Sequence, residues 1–99
     1  MFFGKRIREL REQKGFVLRK IAAQLDIDTA TLSKIELGDR HAKREYLEIL
    51  SKLYEIDYQE LERLWLTDKV YYIIEDEKQG LSVLKEAETA YRKSNKVFK

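Results

Sequence analysis

The chain has 99 residues, 43% of them hydrophobic, with 20 Lys and Arg against 18 Asp and Glu and a formal net charge of +2. A chain of this length builds one modest core, and a mixed charged fraction of 38% describes a solvated surface. With no Cys and a single His, His41, disulfide frameworks, thiolate zinc sites, a Cys nucleophile and imidazole pairs are excluded. No apolar run approaches the ~18 residues of a membrane span, and the opening Met-Phe-Phe-Gly-Lys-Arg meets charge at once. A cytoplasmic protein without metal, cofactor, membrane association or enzymatic machinery is expected.

There is no Pro and there are four Gly, so the sequence favours helices, and Gly15, Gly38 and Gly80 read as helix stops. Phe3, Ile7 and Leu10 recur at spacings of four and three, with Lys5, Arg6, Arg8, Glu9 and Glu12 on the other face, which predicts a first helix over residues 3–14. Leu18, Ile21, Ala22 and Leu25 form a second, short stripe that ends at Asp26-Ile27-Asp28. Asp28 is placed to cap a third helix over residues 29–37, with Leu32 and Ile35 inward and Gly38 closing it. Residues 40–44 make a basic connection. Tyr46, Leu47, Ile49, Leu50 and Leu53 carry a fourth helix to Glu55, and Ile56 enters the core beside it.

Asp57-Tyr-Gln-Glu60 has the pattern of a capping box, so a fifth helix begins there and buries Leu61, Leu64 and Trp65. Thr67 offers a fresh cap. A sixth helix through Val70, Tyr71, Ile73 and Ile74 is expected to end near Gly80, and a seventh to follow through Leu81, Val83, Leu84, Ala87 and Tyr91. The polar residues 94–99 are expected to form a disordered tail. Glu75-Asp76-Glu77 reads as a solvated turn, because adjacent acids on a helix point in different directions.

Two short helices crossing about a tight turn demand given side-chain sizes at given places. Ile21, Leu25, Ile27, Leu32 and Ile35 fall where both helices face the core, and Ala22 is small where they cross. With Arg11-Glu-Gln-Lys-Gly15, Leu32-Ser-Lys-Ile35-Glu36 and Gly38, this stretch resembles the helix-turn-helix of the phage Cro and repressor type, also called the xenobiotic-response-element type, from Ile7 to about Leu61. Four positions depart from that pattern: Asp26 stands at the usual turn Gly, Leu18 at a common phosphate-contacting Gln, Val17 at the usual Ser or Thr cap, and Ala42 at a common Pro. The implied architecture is an all-α protein, a five-helix helix-turn-helix domain over residues 1–66 with a C-terminal extension of about two helices over residues 67–93.

The resemblance places Thr29, Ala30, Ser33 and Lys34 at base-facing positions of the recognition helix. It places Arg40, His41, Lys43 and Arg44 beside backbone phosphates, with Arg19 as a substitute for the contact Leu18 cannot make. It makes Arg11 and Glu36 an internal ion pair. Charge agrees, since residues 1–44 hold eleven basic and six acidic side chains and the remainder is net acidic.

Beyond the motif, Phe2, Phe3, Trp65, Tyr71, Tyr72, Ile73, Ile74 and Leu81 exceed what a minimal five-helix domain needs. Dimerisation through Trp65, Tyr71, Tyr72, Ile74 and Leu81 is expected. The reading is a homodimeric transcriptional repressor on a palindromic stretch of double-stranded DNA. The alternative is an antitoxin-like module whose C-terminal helices hold a protein partner.

Overall fold

A computed structural model of the chain describes residues 1–94 and contains six α-helices, with no strand among the described residues. They are α1 (Phe2–Gln13), α2 (Leu18–Gln24), α3 (Thr29–Leu37), α4 (Tyr46–Tyr54), α5 (Tyr58–Ile74) and α6 (Gly80–Ser94). The chain divides into two compact units, residues 1–68 and residues 69–99.

In the first unit α1 packs on α3 and α4, and α2 packs on α3. Phe3, Ile7 and Leu10 of α1 close over Ile21, Ala22, Leu25, Leu32 and Ile35, with Leu47, Leu50, Tyr54, Leu61 and Trp65 completing one core. Gly4 lies where the backbones of α1 and α3 meet. A Cβ there would overlap the Ile35 carbonyl oxygen and come within 2.7 Å of that of Glu36. Glycine costs ~1 kcal/mol against alanine inside a helix, and here its missing side chain is what admits the last turn of α3.

The same two helices are tied by charge. Arg11 Nε donates to Glu36 Oε2 at 2.8 Å and its Nη2 to Oε1 at 3.1 Å, while Nη1 donates to the Phe16 carbonyl at 3.0 Å. The two side chains are only 14% and 4% exposed. The hydrogen bonds to Glu36 raise the Arg11 pKa against the opposing cost of burial. One guanidinium thus holds the end of α3 and the loop that starts α2. Tyr54 stacks on Phe16 beneath it, ring centroids 6.3 Å apart, and burial raises the Tyr54 pKa.

The turn between α2 and α3 is closed by Asp26 in the left-handed region at φ 57°, a conformation Asp reaches at modest cost. Val17 sits at the N-cap of α2 and makes no side-chain cap bond, as a side chain without polar atoms must. Gly15 at φ 71° and Gly38 at φ 84° follow α1 and α3. Glu55 at φ 52° ends α4 in the same left-handed geometry, its carboxylate 3.3 Å from Lys14 Nζ.

Four expectations are corrected. The fifth and sixth predicted helices are one, α5, because no Gly or Pro interrupts residues 58–74 and Thr67 turns its hydroxyl back to the Arg63 carbonyl at 2.7 Å instead of capping. The capping box at Asp57 is half formed: Asp57 accepts from the Gln59 N–H at 3.0 Å, and Glu60 is drawn away by Arg6 Nε at 2.8 Å. Gly80 opens α6 instead of stopping the helix before it; a Cβ there would lie 3.1 Å from the Ile74 carbonyl oxygen. Ser94 is the last residue of α6, and the rest of the expected tail, residues 95–99, lies outside the described residues.

A contact with no sequence signal fixes the start of α1. Met1, at the N-cap position, makes no side-chain cap bond; Asp68 supplies it instead, Oδ1 accepting from the Phe2 N–H at 3.1 Å and Oδ2 from the Phe3 N–H at 3.0 Å. A carboxylate is favoured there by the free N–H groups and by the helix dipole.

In the second unit the end of α5 turns through Glu75-Asp76-Glu77, all exposed, into α6. Gly80 is the one buried residue among its described residues. Ile73 is 72% and Leu81 68% exposed, and Val70, Tyr71, Val83 and Tyr91 are exposed as well.

Two stability measurements follow from these contacts. Asp68→Ala should lose about 2 kcal/mol in urea unfolding, since one buried and one part-buried N–H group lose a charged acceptor, and Asp68→Asn should lose less. A loss under ~0.5 kcal/mol would show that water replaces the cap. Glu36→Ala should cost about 3 kcal/mol because it strands a largely buried guanidinium, and a near-neutral result in the same titration would mean Arg11 finds another acceptor.

Candidate nucleic-acid interface

The candidate surface is built on α3, whose N-terminus is set by Asp28. The Asp28 carboxylate accepts from the Thr31 N–H at 2.7 Å. Its pKa is held below the ordinary carboxylate range, first by its hydrogen bonds from the Thr31 side chain and backbone, then by the charges of Arg40 and Lys34. Those two cations therefore lie within electrostatic reach of one capping group, on the side of α3 turned away from the core. At the other end the Gly38 N–H bonds to Ile35 O at 3.1 Å and the Asp39 N–H to Lys34 O at 2.8 Å, which closes the last turn.

Between these ends the helix is sharply two-sided. Leu32, Ile35 and Glu36 are buried, while Thr29, Ala30 and Lys34 are exposed and Ser33 is half-buried. The four residues expected to face bases thus share the outer side of one short helix, with Ser33 the least accessible. The inventory is short: a methyl on Ala30, a methyl and hydroxyl on Thr29, a hydroxyl on Ser33 and an ammonium on Lys34. Lys34 can donate to guanine O6 or N7, and methyl groups can pack on thymine.

Of the cations expected near phosphates, Arg19 on α2 and Arg40, His41 and Lys43 in the connection after α3 are exposed. Arg44 is exposed as well but already paired. Its Nη2 lies 2.7 Å from Glu62 Oε2 and its guanidinium 5.2 Å from the centroid of the Trp65 ring. Glu62 and then Tyr58 raise the Arg44 pKa through hydrogen bonds. Its charge is already matched inside the domain, so a phosphate would have to compete with a carboxylate for it. Lys20, which the sequence reading left unassigned, sits with Nζ 5.5 Å from the Phe16 ring centroid.

Trp65 falls in the first unit, apart from the other residues expected at a dimer interface. Expected at a dimer interface, it is 9% exposed in the core of the first unit, and its indole N–H donates to the Ala42 carbonyl at 2.8 Å. The reason is chemical: an indole buried with its N–H satisfied by backbone has no further surface to offer. Its place assigns it another task. By pinning Ala42, it fixes the connection of residues 40–44 against α5 and so positions the basic side chains on either side. Of the other residues expected at a dimer interface, Tyr71 and Leu81 are exposed, Tyr72 is half-buried, and Ile74 is half-buried against Gly80.

The sequence reading also missed Gly4, Asp68 and the ion pair between Arg6 and Glu60. Gly4 carried a signal, since a glycine inside an amphipathic helical stripe marks close backbone approach. Asp68 carried none, because its partners are more than sixty residues away.

This geometry, two short helices about a tight turn with the second one bared along its outer side, agrees with the comparison against known families. Residues 3–64 match the family described as helix-turn-helix domain, consistent with the Cro and repressor type. No curated protein and no solved structure matches the chain. No helix among the described residues is long and apolar enough to cross a membrane. With the family match spanning well over half its length and the fold built on the same two helices, the chain belongs to the helix-turn-helix domain family.

Proposed function

We propose that the chain is a sequence-specific DNA-binding transcriptional regulator, a repressor that acts in the cytoplasm as a homodimer on a palindromic operator and carries no enzymatic activity. The observation that supports this reading best is the bared side of α3, with Thr29, Ala30 and Lys34 exposed between the Asp28 cap and the Gly38 stop. Lys34 reads a guanine edge, and Thr29, Ala30 and Ser33 complete the base contacts. Arg19, Arg40, His41 and Lys43 hold phosphates. Arg44 joins them only by leaving Glu62.

The second unit is the dimerisation module of this proposal, with residues 1–66 as the DNA-binding domain and residues 67–93 as the extension. Two helices that leave Ile73 and Leu81 more than two thirds exposed have not buried their own apolar side chains, and a twin chain would cover them. A two-fold dimer would space its recognition helices about one DNA turn, ~34 Å, apart. The same exposed residues favour the second reading, an antitoxin-like module that holds a different protein there.

The central test is selection of duplexes from a random pool, followed by binding titrations of the selected site against a scrambled one. Lys34→Ala should lose roughly 1–3 kcal/mol on the selected site and relax preference at one base pair per half-site, while scrambled DNA is affected less. If the variant keeps its base preference and alters only the dependence on salt, Lys34 touches a phosphate and not a base. Oligomeric state is tested with Ile73→Glu combined with Leu81→Glu. Light scattering should find a dimer for the unaltered chain and a monomer for the variant, with unchanged helix content by circular dichroism. An unaltered chain that is monomeric alone and co-purifies with a second protein from its host points to the antitoxin-like reading.

A further inference from the structure

Leu37 is an apolar side chain left outside the core at the end of α3, 57% exposed. The positions before it explain why. Leu32, Ile35 and Glu36 fill the inner side of the helix, so the next residue turns outward. Ala30, Lys34 and Leu37 stand four and three residues apart, which places them in one row on the same side. Leu37 thus extends the candidate base-reading row by one turn.

Its position is well fixed. The bonds from the Gly38 and Asp39 N–H groups to the carbonyls of Ile35 and Lys34 close the turn that carries it. Arg11 holds the Glu36 carboxylate and the Phe16 carbonyl with one guanidinium, and Leu37 and Val17 are the residues that follow those two anchors. Val17 is 58% exposed, so the end of α3 and the start of α2 both present an apolar side chain to the outside. The exposed charges of these segments are mostly cationic: Lys34 lies within the row, Arg19 and Lys20 on the first turn of α2 and Arg40 in the connection beyond, with Asp39 the exposed carboxylate between Leu37 and Arg40.

An apolar side chain on a surface where exposed cations outnumber anions suits a polyanion that carries apolar groups of its own. In the major groove the edges of the bases are polar except for one feature, the 5-methyl group of thymine. A leucine there can form no hydrogen bond, so that methyl is the group it can recognise. Resting on the DNA-binding reading above, we propose that Leu37 is a specificity-determining residue that packs on a thymine methyl one helical turn beyond the base pair read by Lys34.

The test uses the full chain and the duplex it selects from a random pool, with each thymine replaced in turn by deoxyuridine. That replacement removes the methyl and keeps every hydrogen-bonding group. At one thymine per half-site, the unaltered protein should bind the deoxyuridine duplex about fourfold more weakly, the effect of returning one methyl group to water. Leu37→Ala should bind the thymine duplex more weakly and bind both duplexes equally. Leu37→Met, which keeps an apolar side chain of similar length, should retain the discrimination, and Lys34→Ala should retain it at that position. Because Leu37 is exposed, circular dichroism of both Leu37 variants should match the unaltered chain. Indifference of the unaltered protein to every thymine replacement overturns the assignment, as does full discrimination by Leu37→Ala. These failures differ from failure of the DNA-binding reading, in which no duplex would be enriched and the assignment would fall with it.

Discussion

The close approach of α1 to the last turn of α3 is the constraint on which the rest of the first unit depends. Gly4 permits it by leaving room for the Ile35 and Glu36 carbonyls, and Arg11 secures it through Glu36. Neither contact suffices alone. With a Cβ at Gly4 the helices would stand farther apart, and without the ion pair the buried Glu36 carboxylate of α3 would be uncompensated. The same guanidinium reaches the Phe16 carbonyl, so the angle of α3 and the start of α2 are set by one side chain. What α3 offers to a ligand is then decided by subtraction: the residues committed inward leave Ala30, Lys34 and Leu37 facing out.

A second constraint fixes the cations. The connection after α3 lacks regular structure, and flexible basic loops spread their charge over many positions. Here the indole of Trp65 holds the Ala42 carbonyl, and the face of its ring lies beneath the Arg44 guanidinium. Glu62 pairs with Arg44, which is exposed like Arg40, His41 and Lys43 but has its charge matched within the domain. The basic surface is therefore narrower than the count of Lys and Arg in the sequence suggests.

Much of the first unit was legible in the sequence because its signals are local. Apolar spacing located α1 to α4, Asp28 announced the start of α3, and Gly38 announced its end. Asp26 was readable as a left-handed turn residue because it stands at the turn Gly of the family pattern, and Asp can reach that region. The errors arise where partners are distant in sequence. Glu60 abandons its local cap for Arg6, and Trp65 finds Ala42 across the domain. Thr67 reads as a helix start because a threonine can cap, but nothing in the chain on either side breaks the helix, and its hydroxyl is satisfied one turn back. At the candidate site the exposed side of α3 was readable from periodicity, whereas the commitment of Arg44 to Glu62 depends on the packing of α5 and has no counterpart in local pattern.

The cap supplied by Asp68 also bears on how the domain is made. During synthesis α1 leaves the ribosome before α5, and the carboxylate that satisfies its Phe2 and Phe3 N–H groups follows 66 and 65 residues later. At usual elongation rates that interval is roughly 3–13 s, far longer than a helix needs to form and melt. The nascent α1 therefore frays and re-forms many times before its first turn is fastened. The helix that begins the domain is thus among its last parts to be finished, and α3, which packs on it, acquires its final support only when α5 has been translated.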